Sequence, residues 1–277
     1  MANITAAEVN KLRQMTGAGM MDCKHALVES EGDIEKAIDY LRKKGQKVAN
    51  KRADRDANEG LVIAKTSSNN TFGIITMLNC ETDFVAKNQE FIDLAYNIAD
   101  NALNSKPKSI DELKSIKIDS RTIGEYISDF MGKTGEKVEL NEYQFISAPH
   151  VYAYNHNGNK LASMIGFNKV IDSGIDQVGK DIVMQIAAMN PVAIDKDDVD
   201  PTIVQREIEV GKEQARQEGK PEEMLEKIAI GKLNKFYKEN TLLNQEFIRD
   251  AKKTIAQYIS ENDKNLKIIE FKRVSIQ

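Results

Sequence analysis

Apolar residues in the first 45 positions recur at the three- and four-residue spacing of amphipathic helices. Thr5 and Glu8 have the spacing of a capping box, which predicts that a helix begins there. A second helix at residues 20–29 carries four apolar positions that we assign to the core: Met20, Cys23, Ala26 and Leu27. A third helix is predicted to end at Gly45. Residues 1–50 therefore predict a small appended three-helix module.

The pattern then changes to β-branched and alternating runs that indicate strands. Strands at residues 61–66 and 72–78 predict a hairpin, and an amphipathic helix follows over residues 91–102. A helix near residues 123–131 and a strand near residues 139–147 come next. This stretch therefore combines a hairpin with helices and a returning strand.

A similar order recurs further along the chain. Strands at residues 151–154 and 160–167 flank Asn157 and Gly158, a dipeptide typical of tight hairpin turns. A helix is predicted at residues 181–189. The recurrence predicts two hairpin-plus-helix halves related by a weak internal repeat.

The repeat favours an α+β fold with a core in two halves. We assign the first half to residues 56–147 and the second half to residues 148–200 together with 241–277. Within the last of these segments, a helix over residues 242–259 and a final strand over residues 266–274 are predicted.

Residues 201–240 predict an antiparallel helical hairpin inserted into the second half of the core. Asp200-Pro201 is a typical helix start, and Gly219-Lys220-Pro221 reverses the chain between the two arms. Apolar residues recur in both arms at steps of three and four, so the arms are expected to pack along a short coiled-coil seam.

Composition and charge exclude several classes of protein. The 277 residues are 41% hydrophobic, which is too apolar for a globally disordered chain. The net charge of −4 argues against general nucleic-acid binding, although basic residues cluster at positions 42–55. No run approaches the roughly 18 apolar residues of a membrane span, and two cysteines fit a reducing compartment. We therefore expect a cytoplasmic protein without membrane association.

The chain does not match the sequence patterns that are typical of enzymes, metal sites or nucleotide sites. Gly132-Lys133-Thr134 resembles the end of a phosphate-binding loop, but Ser128 stands where that loop requires a glycine. The two cysteines and three histidines have no zinc-ligand spacing. We predict a protein that is not an enzyme and that carries no cofactor or metal.

Asp83 and Phe84 stand where a strand passes into a helix, and they allow two interpretations. In the first, Asp83 caps the helix and Phe84 is its first core residue. In the second, Phe84 is an aromatic wedge beside a carboxylate, presented to a partner on a rigid turn. These residues alone leave both interpretations open.

Two longer stretches, taken together, resemble the translation elongation factor Ts family: residues 12–24 (LRQMTGAGMMDCK) and residues 79–86 (NCETDFVA). They occur in the family's order and spacing. The similarity extends over nearly the whole chain, including Gly219-Lys220-Pro221 and Gln245-Glu246-Phe247. The resemblance implies that the N-terminal module is a three-helix bundle of the ubiquitin-associated type.

The resemblance also implies a guanine nucleotide exchange factor for the GTPase elongation factor Tu, bound in its nucleotide-free and GDP-bound forms. It implies that the turn with Asp83 and Phe84 inserts near the magnesium site of the GTPase and promotes GDP release. The residues that match the family's partner contacts are Arg13, Met20, Met21, Thr82, Asp83, Phe84, Val85 and Gln185. Gln185 replaces a histidine common in the family, and a contact role for Met20 conflicts with its assignment to the core.

Two alternative functions remain open at this point. An RNA- or ribosome-associated binding protein would use the basic segment 42–55 and the helical hairpin, although the net charge predicts no strong nucleic-acid binding. An unrecognised enzyme would use Asp83 together with a histidine. Salt-dependent RNA binding would support the first alternative, and turnover that is lost in Asp83→Ala without any GTPase would support the second.

Overall fold

The computed structural model describes residues 4–52 and 54–276 and shows a mixed α+β fold, as predicted. Its helices are α1 (Ala6–Thr16), α2 (Met20–Glu29), α3 (Ile34–Lys51), α4 (Asp83–Ala86), α5 (Gln89–Ser105), α6 (Ile110–Ser115), α7 (Ile123–Thr134), α8 (Asp176–Met189), α9 (Pro201–Gln217), α10 (Glu222–Asn240) and α11 (Ile255–Asn262). Its strands are β1 (Glu59–Thr66), β2 (Phe72–Cys80), β3 (Lys117–Ile118), β4 (Arg121–Thr122), β5 (Val138–Ser147), β6 (His150–Asn155), β7 (Leu161–Phe167), β8 (Glu246–Phe247), β9 (Asp250–Thr254) and β10 (Ile268–Ser275).

The N-terminal module packs α1, α2 and α3 around a small apolar core. Thr5 caps α1 and exchanges hydrogen bonds with Glu8, so the predicted capping box is confirmed. The buried apolar side chains of this module are Val9, Leu12, Cys23, Ala26, Leu27 and Ala37. Residues 1–3 of the predicted module lie outside the described residues.

The predicted end of the third helix at Gly45 is wrong, because α3 continues to Lys51. Gly45 lies instead where α3 crosses α7, next to Gly132. A Cβ atom on Gly45 would lie 2.8 Å from the backbone oxygen of Ser128, so a larger residue would push the two helices apart. This glycine allows close helix packing rather than a helix end.

Each half of the core contains a three-stranded antiparallel sheet with the same order of strands. In the first half β2 lies between β1 and β5, and in the second half β7 lies between β6 and β10. Helix α5 packs on the first sheet and α8 packs on the second. In both halves a hairpin is therefore followed by a helix and, later in the chain, by the third strand.

The two sheets pack face to face, and helices cover their outer faces. Along β1, Ile63 belongs to the cluster under α5, whereas its neighbour Val62 belongs to the cluster between the sheets. Along β7, Ile165 packs under α8 and Met164 packs between the sheets. The layers therefore follow the order helix, sheet, sheet, helix, which explains why these strands are apolar on both faces. Both halves contribute to the apolar cluster between the two sheets. The domain limits assigned from the sequence therefore stay a prediction.

Helices α9 and α10 form an antiparallel hairpin over residues 201–240. Asp200 caps α9, and Pro201 occupies its first turn. The buried residues between the arms are Gly211, Ala215, Leu225, Ala229 and Leu233. The outer faces are charged, and an ion pair of 2.6 Å between Lys212 and Glu226 joins the arms.

The predicted helix over residues 242–259 is wrong in its first part. There the chain forms a short 3₁₀ turn and the strand pair β8–β9, and only then α11, which Thr254 caps. The apolar residues that suggested one helix all enter the same core cluster: Leu242, Phe247, Ile255 and Ile259. Their spacing resembles that of a helix because a tight hairpin and a short helix turn them toward the same side.

Candidate partner-binding site

The Phe84 turn, residues 81–88, joins β2 to α5 and contains the one-turn helix α4. Thr82 caps α4, because its hydroxyl accepts a hydrogen bond from the Val85 amide at 3.4 Å. Asn88 then caps α5 by accepting from a backbone amide at 2.9 Å. Two helix starts in close succession therefore fix the backbone of this turn.

Phe84 projects from the turn into solvent. Its side chain is 83% exposed, the largest fraction among the described large apolar residues. Its neighbours Val85 and Ala86 are buried in the core of the first half. Successive helical residues are rotated by about 100°, so α4 buries these two only by turning Phe84 outward. The interpretation of Phe84 as a core residue is wrong.

Asp83 occupies the first position of α4 and is not its cap, so that interpretation is wrong as well. Its carboxylate accepts a hydrogen bond of 2.6 Å from Lys87 Nζ, one helical turn later. This hydrogen bond lowers the pKa of Asp83 and raises the pKa of Lys87. Both side chains are exposed, so Asp83 is an accessible negative charge beside the Phe84 ring at neutral pH.

Two carboxylates hold the base of the Phe84 turn. Glu81 accepts hydrogen bonds from Arg52 Nη1 at 2.7 and 2.8 Å and from the Lys137 amide at 2.6 Å. Glu136 accepts from the Thr82 amide at 3.2 Å and from the Thr82 hydroxyl at 3.0 Å. Burial acts to raise the pKa of Glu81, but the hydrogen bonds from Lys137 and Arg52 outweigh it and hold that pKa below its ordinary value.

Neither glutamate was recognisable from the sequence as part of the site. The partners of Glu81 lie 29 and 56 residues away along the chain, and Glu136 is 54 residues from Thr82. No local pattern marks such contacts, because they form only when the segment between α7 and β5 lies beside the turn.

The predicted contact residues of the N-terminal module lie on its surface. Arg13 is exposed on α1, while Met20 and Met21 are 58% and 72% exposed at the start of α2. The assignment of Met20 to the core is therefore wrong. The buried side of α2 begins at Cys23, and the first turn of this small module stays uncovered.

A surface cavity of about 560 Å³ lies beside Met21. Its wall includes Val28, which is 46% exposed, and Tyr40, whose hydroxyl lies 3.2 Å from His25 Nδ1. Val28 therefore adds an apolar side chain to the surface formed by the methionines. Its helical position alone did not indicate exposure.

Lys133 lies between the module and the Phe84 turn. It forms an ion pair with Glu90 at the start of α5, and its Nζ lies 3.1 Å from where a Cβ atom of Gly17 would be. The loop between α1 and α2 therefore approaches the helix that follows the turn. The structure thus brings two groups of predicted contacts to neighbouring surfaces: Arg13, Met20 and Met21 on the module, and Thr82, Asp83 and Phe84 in the turn. Val85, which was predicted with them, is instead buried in the core.

Gln185 lies in the interior, which disagrees with its prediction as a direct partner contact. It is fully buried on α8, donates to Gln245 Oε1 at 3.2 Å and to the Glu246 oxygen at 3.0 Å, and accepts from the Ile248 amide at 3.0 Å. A direct contact would require the core to open. Gln185 instead holds the β8–β9 hairpin, whose residue Ile248 is 48% exposed.

Among the described residues, no group of three or more His, Cys, Asp or Glu is placed to hold a metal ion. Within residues 4–52 and 54–276, no helix has the length and apolar character needed to cross a membrane. Burial raises the pKa of the Cys80 thiol, at the end of β2, to about 12, so this thiol is protonated at neutral pH.

Comparison with known sequences decides the family. A family model described as elongation factor TS matches residues 81–277. The curated elongation factor Ts of Cytophaga hutchinsonii is 51% identical over 277 residues, and that of Christiangramia forsetii is 50% identical over 276 residues; each match covers 100% of both chains. The protein of the same name from Amoebophilus asiaticus is 50% identical over 273 residues, with 99% of both chains covered. The chain belongs to the elongation factor Ts family.

Membership of the elongation factor Ts family makes this chain a factor of translation elongation in protein biosynthesis. The region that matches the family model begins at Glu81 and therefore contains the complete Phe84 turn and Glu136. Arg13, Met20 and Met21 lie before that region, but they are included in the full-length matches to elongation factor Ts proteins.

Proposed function

We propose that this chain is a guanine nucleotide exchange factor for elongation factor Tu and acts in the cytoplasm. It promotes GDP release by inserting Asp83 and Phe84 near the magnesium site of the GTPase. Family membership supports the exchange role. The observation that supports the mechanism is the 83% exposure of an aromatic ring on a turn whose backbone is capped twice.

Thermodynamic coupling sets what such a wedge must do. A factor that weakens GDP binding must itself bind the GDP-loaded GTPase more weakly than the nucleotide-free form, by the same ratio. If the ring displaces packed side chains beside the magnesium ion, the GDP complex loses contacts that the nucleotide-free form does not have. A loss of about 3 kcal/mol corresponds to roughly 150-fold weaker GDP binding. The factor makes and breaks no covalent bond, so it is not an enzyme and needs no cofactor.

The exchange role is tested by release of fluorescent GDP from elongation factor Tu into excess unlabelled GDP. We expect the chain to accelerate release by at least about tenfold, equivalent to ~1.4 kcal/mol of the barrier. Calorimetry should show tighter binding to the nucleotide-free GTPase than to its GDP complex. Equal affinities for the two forms would contradict the proposal, because a partner with equal affinity shifts no equilibrium.

The wedge mechanism is tested by changing the volume at position 84. We expect Phe84→Leu to retain part of the stimulated release and Phe84→Ala to retain least, because less of the partner's packing is displaced. Met224→Ala on α10 is a suitable control, since Met224 is 46% exposed on the helical hairpin. Equal release rates for Phe84→Leu, Phe84→Ala and the unaltered chain would reject the mechanism.

The basic segment 42–55 gives little support to the RNA-binding alternative, because several of its cations form ion pairs. Arg42 pairs with Asp39 at 3.8 Å, Lys44 pairs with Asp22, and Arg52 pairs with Glu81. These ion pairs reduce the positive potential available to phosphates. The side chain of Lys51 lies outside what the structure describes. Binding to a fluorescent RNA that weakens steeply with salt would revive this alternative.

A further inference from the structure

Building on the proposed function, we propose that Glu81 and Glu136 are positioning residues that fix the direction of the Phe84 side chain. Arg52 extends this bracing to the end of α3. These three residues act through the Phe84 turn rather than through contact with the nucleotide. The exposed ring can displace a partner's side chains only if the turn beneath it does not yield.

The two glutamates clamp the turn reciprocally. Glu136 lies in the segment between α7 and β5 and takes both hydrogen bonds that Thr82 donates, from its amide and from its hydroxyl. Glu81 lies in the turn and takes the amide hydrogen bond of Lys137, in the opposite direction. Since Thr82 also caps α4, Glu136 fixes the residue from which the one-turn helix starts.

Charge and burial strengthen this clamp. The Glu81 side chain is only 12% exposed, and both of its carboxylate oxygens accept from Arg52 Nη1. Hydrogen bonds to an ionised group are shorter and stronger than neutral ones, particularly where water is excluded. A buried carboxylate that lost these donors would be costly, so the arrangement is held in one geometry. A wedge that is already in place avoids the entropy of ordering it on binding.

The elements that supply the braces also pack on each other. Arg52 directly follows α3, and one residue, Gly135, separates Glu136 from the end of α7. Helices α3 and α7 are in close contact where Gly45 meets Gly132. The turn is therefore braced from two connected elements, one of which, α3, belongs to the N-terminal module.

The first test measures the turn in the free protein. The chain contains no tryptophan, so Phe84→Trp introduces a single fluorescent reporter at the wedge position. In this background, Glu136→Gln and Glu81→Gln should lower the fluorescence anisotropy, because the turn becomes more mobile. Glu142→Gln is the matched control, since Glu142 lies on β5 and accepts from Gln144. If Glu81→Gln does not fold, Arg52→Ala removes the same ion pair from a side chain that is 33% exposed.

The second test measures exchange with Phe84 in place. At saturating factor, Glu136→Gln and Glu81→Gln should each slow stimulated GDP release about tenfold, while Glu142→Gln stays within about twofold. Thermal unfolding of the same preparations gives the folded fraction, and each release rate is expressed per folded molecule. Arg52→Ala combined with Glu81→Gln should cost no more than the larger single change, because both remove one interaction.

The outcomes separate this inference from the proposed function. Lower anisotropy together with slower release supports the positioning role. Unchanged anisotropy in folded Glu136→Gln and Glu81→Gln overturns it, and so does lower anisotropy with an unchanged release rate. If the unaltered chain does not accelerate GDP release from elongation factor Tu, the proposed function fails and the positioning role in exchange fails with it. The anisotropy result still decides whether the glutamates hold the turn.

Discussion

The two halves of the core share one strand order, but they differ in how the hairpin passes into the following helix. The Phe84 turn makes this connection in the first half, and residues 168–175, here named the second connection, make it in the second half. Each connection is tied to the segment that precedes the third strand of its own sheet. That segment contributes Glu136 and Lys137 in the first half and Asn265 and Lys267 in the second.

The chemistry of the two ties is different. Asn168 exchanges hydrogen bonds of 3.0 and 2.7 Å with the Lys267 backbone and donates to the Asn265 oxygen at 3.1 Å. The second connection exposes Val170, with 68% of its surface accessible, whereas the Phe84 turn exposes an aromatic ring above two carboxylates and an arginine. Both ties include an ion pair, since Lys169 in the second connection pairs with Asp263. The Phe84 turn differs because carboxylates, rather than an amide and a carbonyl oxygen, accept the backbone hydrogen bonds across its tie. The tie with two carboxylates occurs in the connection that exposes a large aromatic ring.

The largest expected effect is on the free energy of unfolding. It distinguishes Phe91, in the helix α5, from Phe84, in the turn that precedes this helix. Phe91 is fully buried under the first sheet, and Phe84 is exposed. Phe91→Ala should lower the free energy of unfolding by about 3–5 kcal/mol. Phe84→Ala should change it by less than about 0.5 kcal/mol, because an exposed ring loses little burial. Urea unfolding of both variants checks this, and a loss of several kcal/mol in Phe84→Ala would place that ring in the core after all.

A smaller effect is expected from crowding the contact between α8 and β6 in the second half of the core. The Tyr152 ring stacks on His150, with centroids 4.7 Å apart, and it also packs against Gly179 on α8. A Cβ atom at position 179 would overlap the Tyr152 ring, so Gly179→Ala should cost about 1–3 kcal/mol of unfolding free energy. Exchange per folded molecule should not change, because the Phe84 turn lies in the other half.

The control for this substitution is Gly231→Ala on α10. A Cβ atom at position 231 would meet nothing within 4 Å, so this change should be neutral or slightly stabilising through helix propensity. Equal stability of Gly179→Ala and Gly231→Ala would show that the packing of Tyr152 on α8 is looser than described.

The two halves are also expected to differ in how their stability depends on pH. His150 Nδ1 accepts from the Ile171 amide at 3.0 Å, and burial lowers the pKa of this histidine, partly opposed by the charge of Asp176. The unfolded chain therefore takes up the proton first, and stability should fall as pH drops below about 6.5. No histidine lies in residues 56–147, so the first half lacks this sensitivity.

Urea unfolding at pH 7.5 and pH 5.5 measures this dependence. His150→Gln keeps a hydrogen-bond acceptor but cannot titrate, so it should flatten the pH dependence. His156→Gln, at an exposed position, should leave it as in the unaltered chain. If His150→Gln retains the full loss of stability at pH 5.5, the acid sensitivity comes from another group.

The smallest expected effect is that of moving the aromatic ring between the two connections. Val170→Phe introduced into Phe84→Ala places an exposed ring on the second connection. Release of GDP should stay within about twofold of Phe84→Ala alone, a difference of less than ~0.5 kcal/mol. The second connection has an ion pair between Lys169 and Asp263 instead of the two glutamate braces, and it lacks the position beside the N-terminal module. A graft that restores most of the exchange rate would show that any exposed ring is sufficient.

Local signals in the sequence were enough for much of the fold. Thr5 with Glu8, Asn157-Gly158 and Asp200-Pro201 each act within a few residues, and the structure has the predicted elements there. The start of α8 was placed five residues late, at Asp181 instead of Asp176. Helix ends and short strands fixed by distant contacts, as at Gly45 and in β8–β9, were not predictable from local patterns.

The candidate site shows the same division. The resemblance indicated the Phe84 turn, but residue type alone could not decide whether Phe84 is buried, because that depends on which face of α4 meets the sheet. Met20 and Gln185 show how far burial can differ from what the sequence suggests. Helical spacing placed Met20 in the core, and position in the family placed Gln185 at a partner, whereas tertiary packing exposes the first and buries the second.

The most direct test of the account compares stimulated GDP release from elongation factor Tu for Phe84→Ala and Val170→Ala, with thermal unfolding measured on the same preparations. Both substitutions remove an exposed apolar side chain from equivalent connections. Both proteins should unfold at nearly the temperature of the unaltered chain. Phe84→Ala should slow release about 30-fold, or ~2 kcal/mol, while Val170→Ala should stay within about twofold. Equal release rates for the two folded variants would contradict the claim that exchange depends on the aromatic ring in the Phe84 turn.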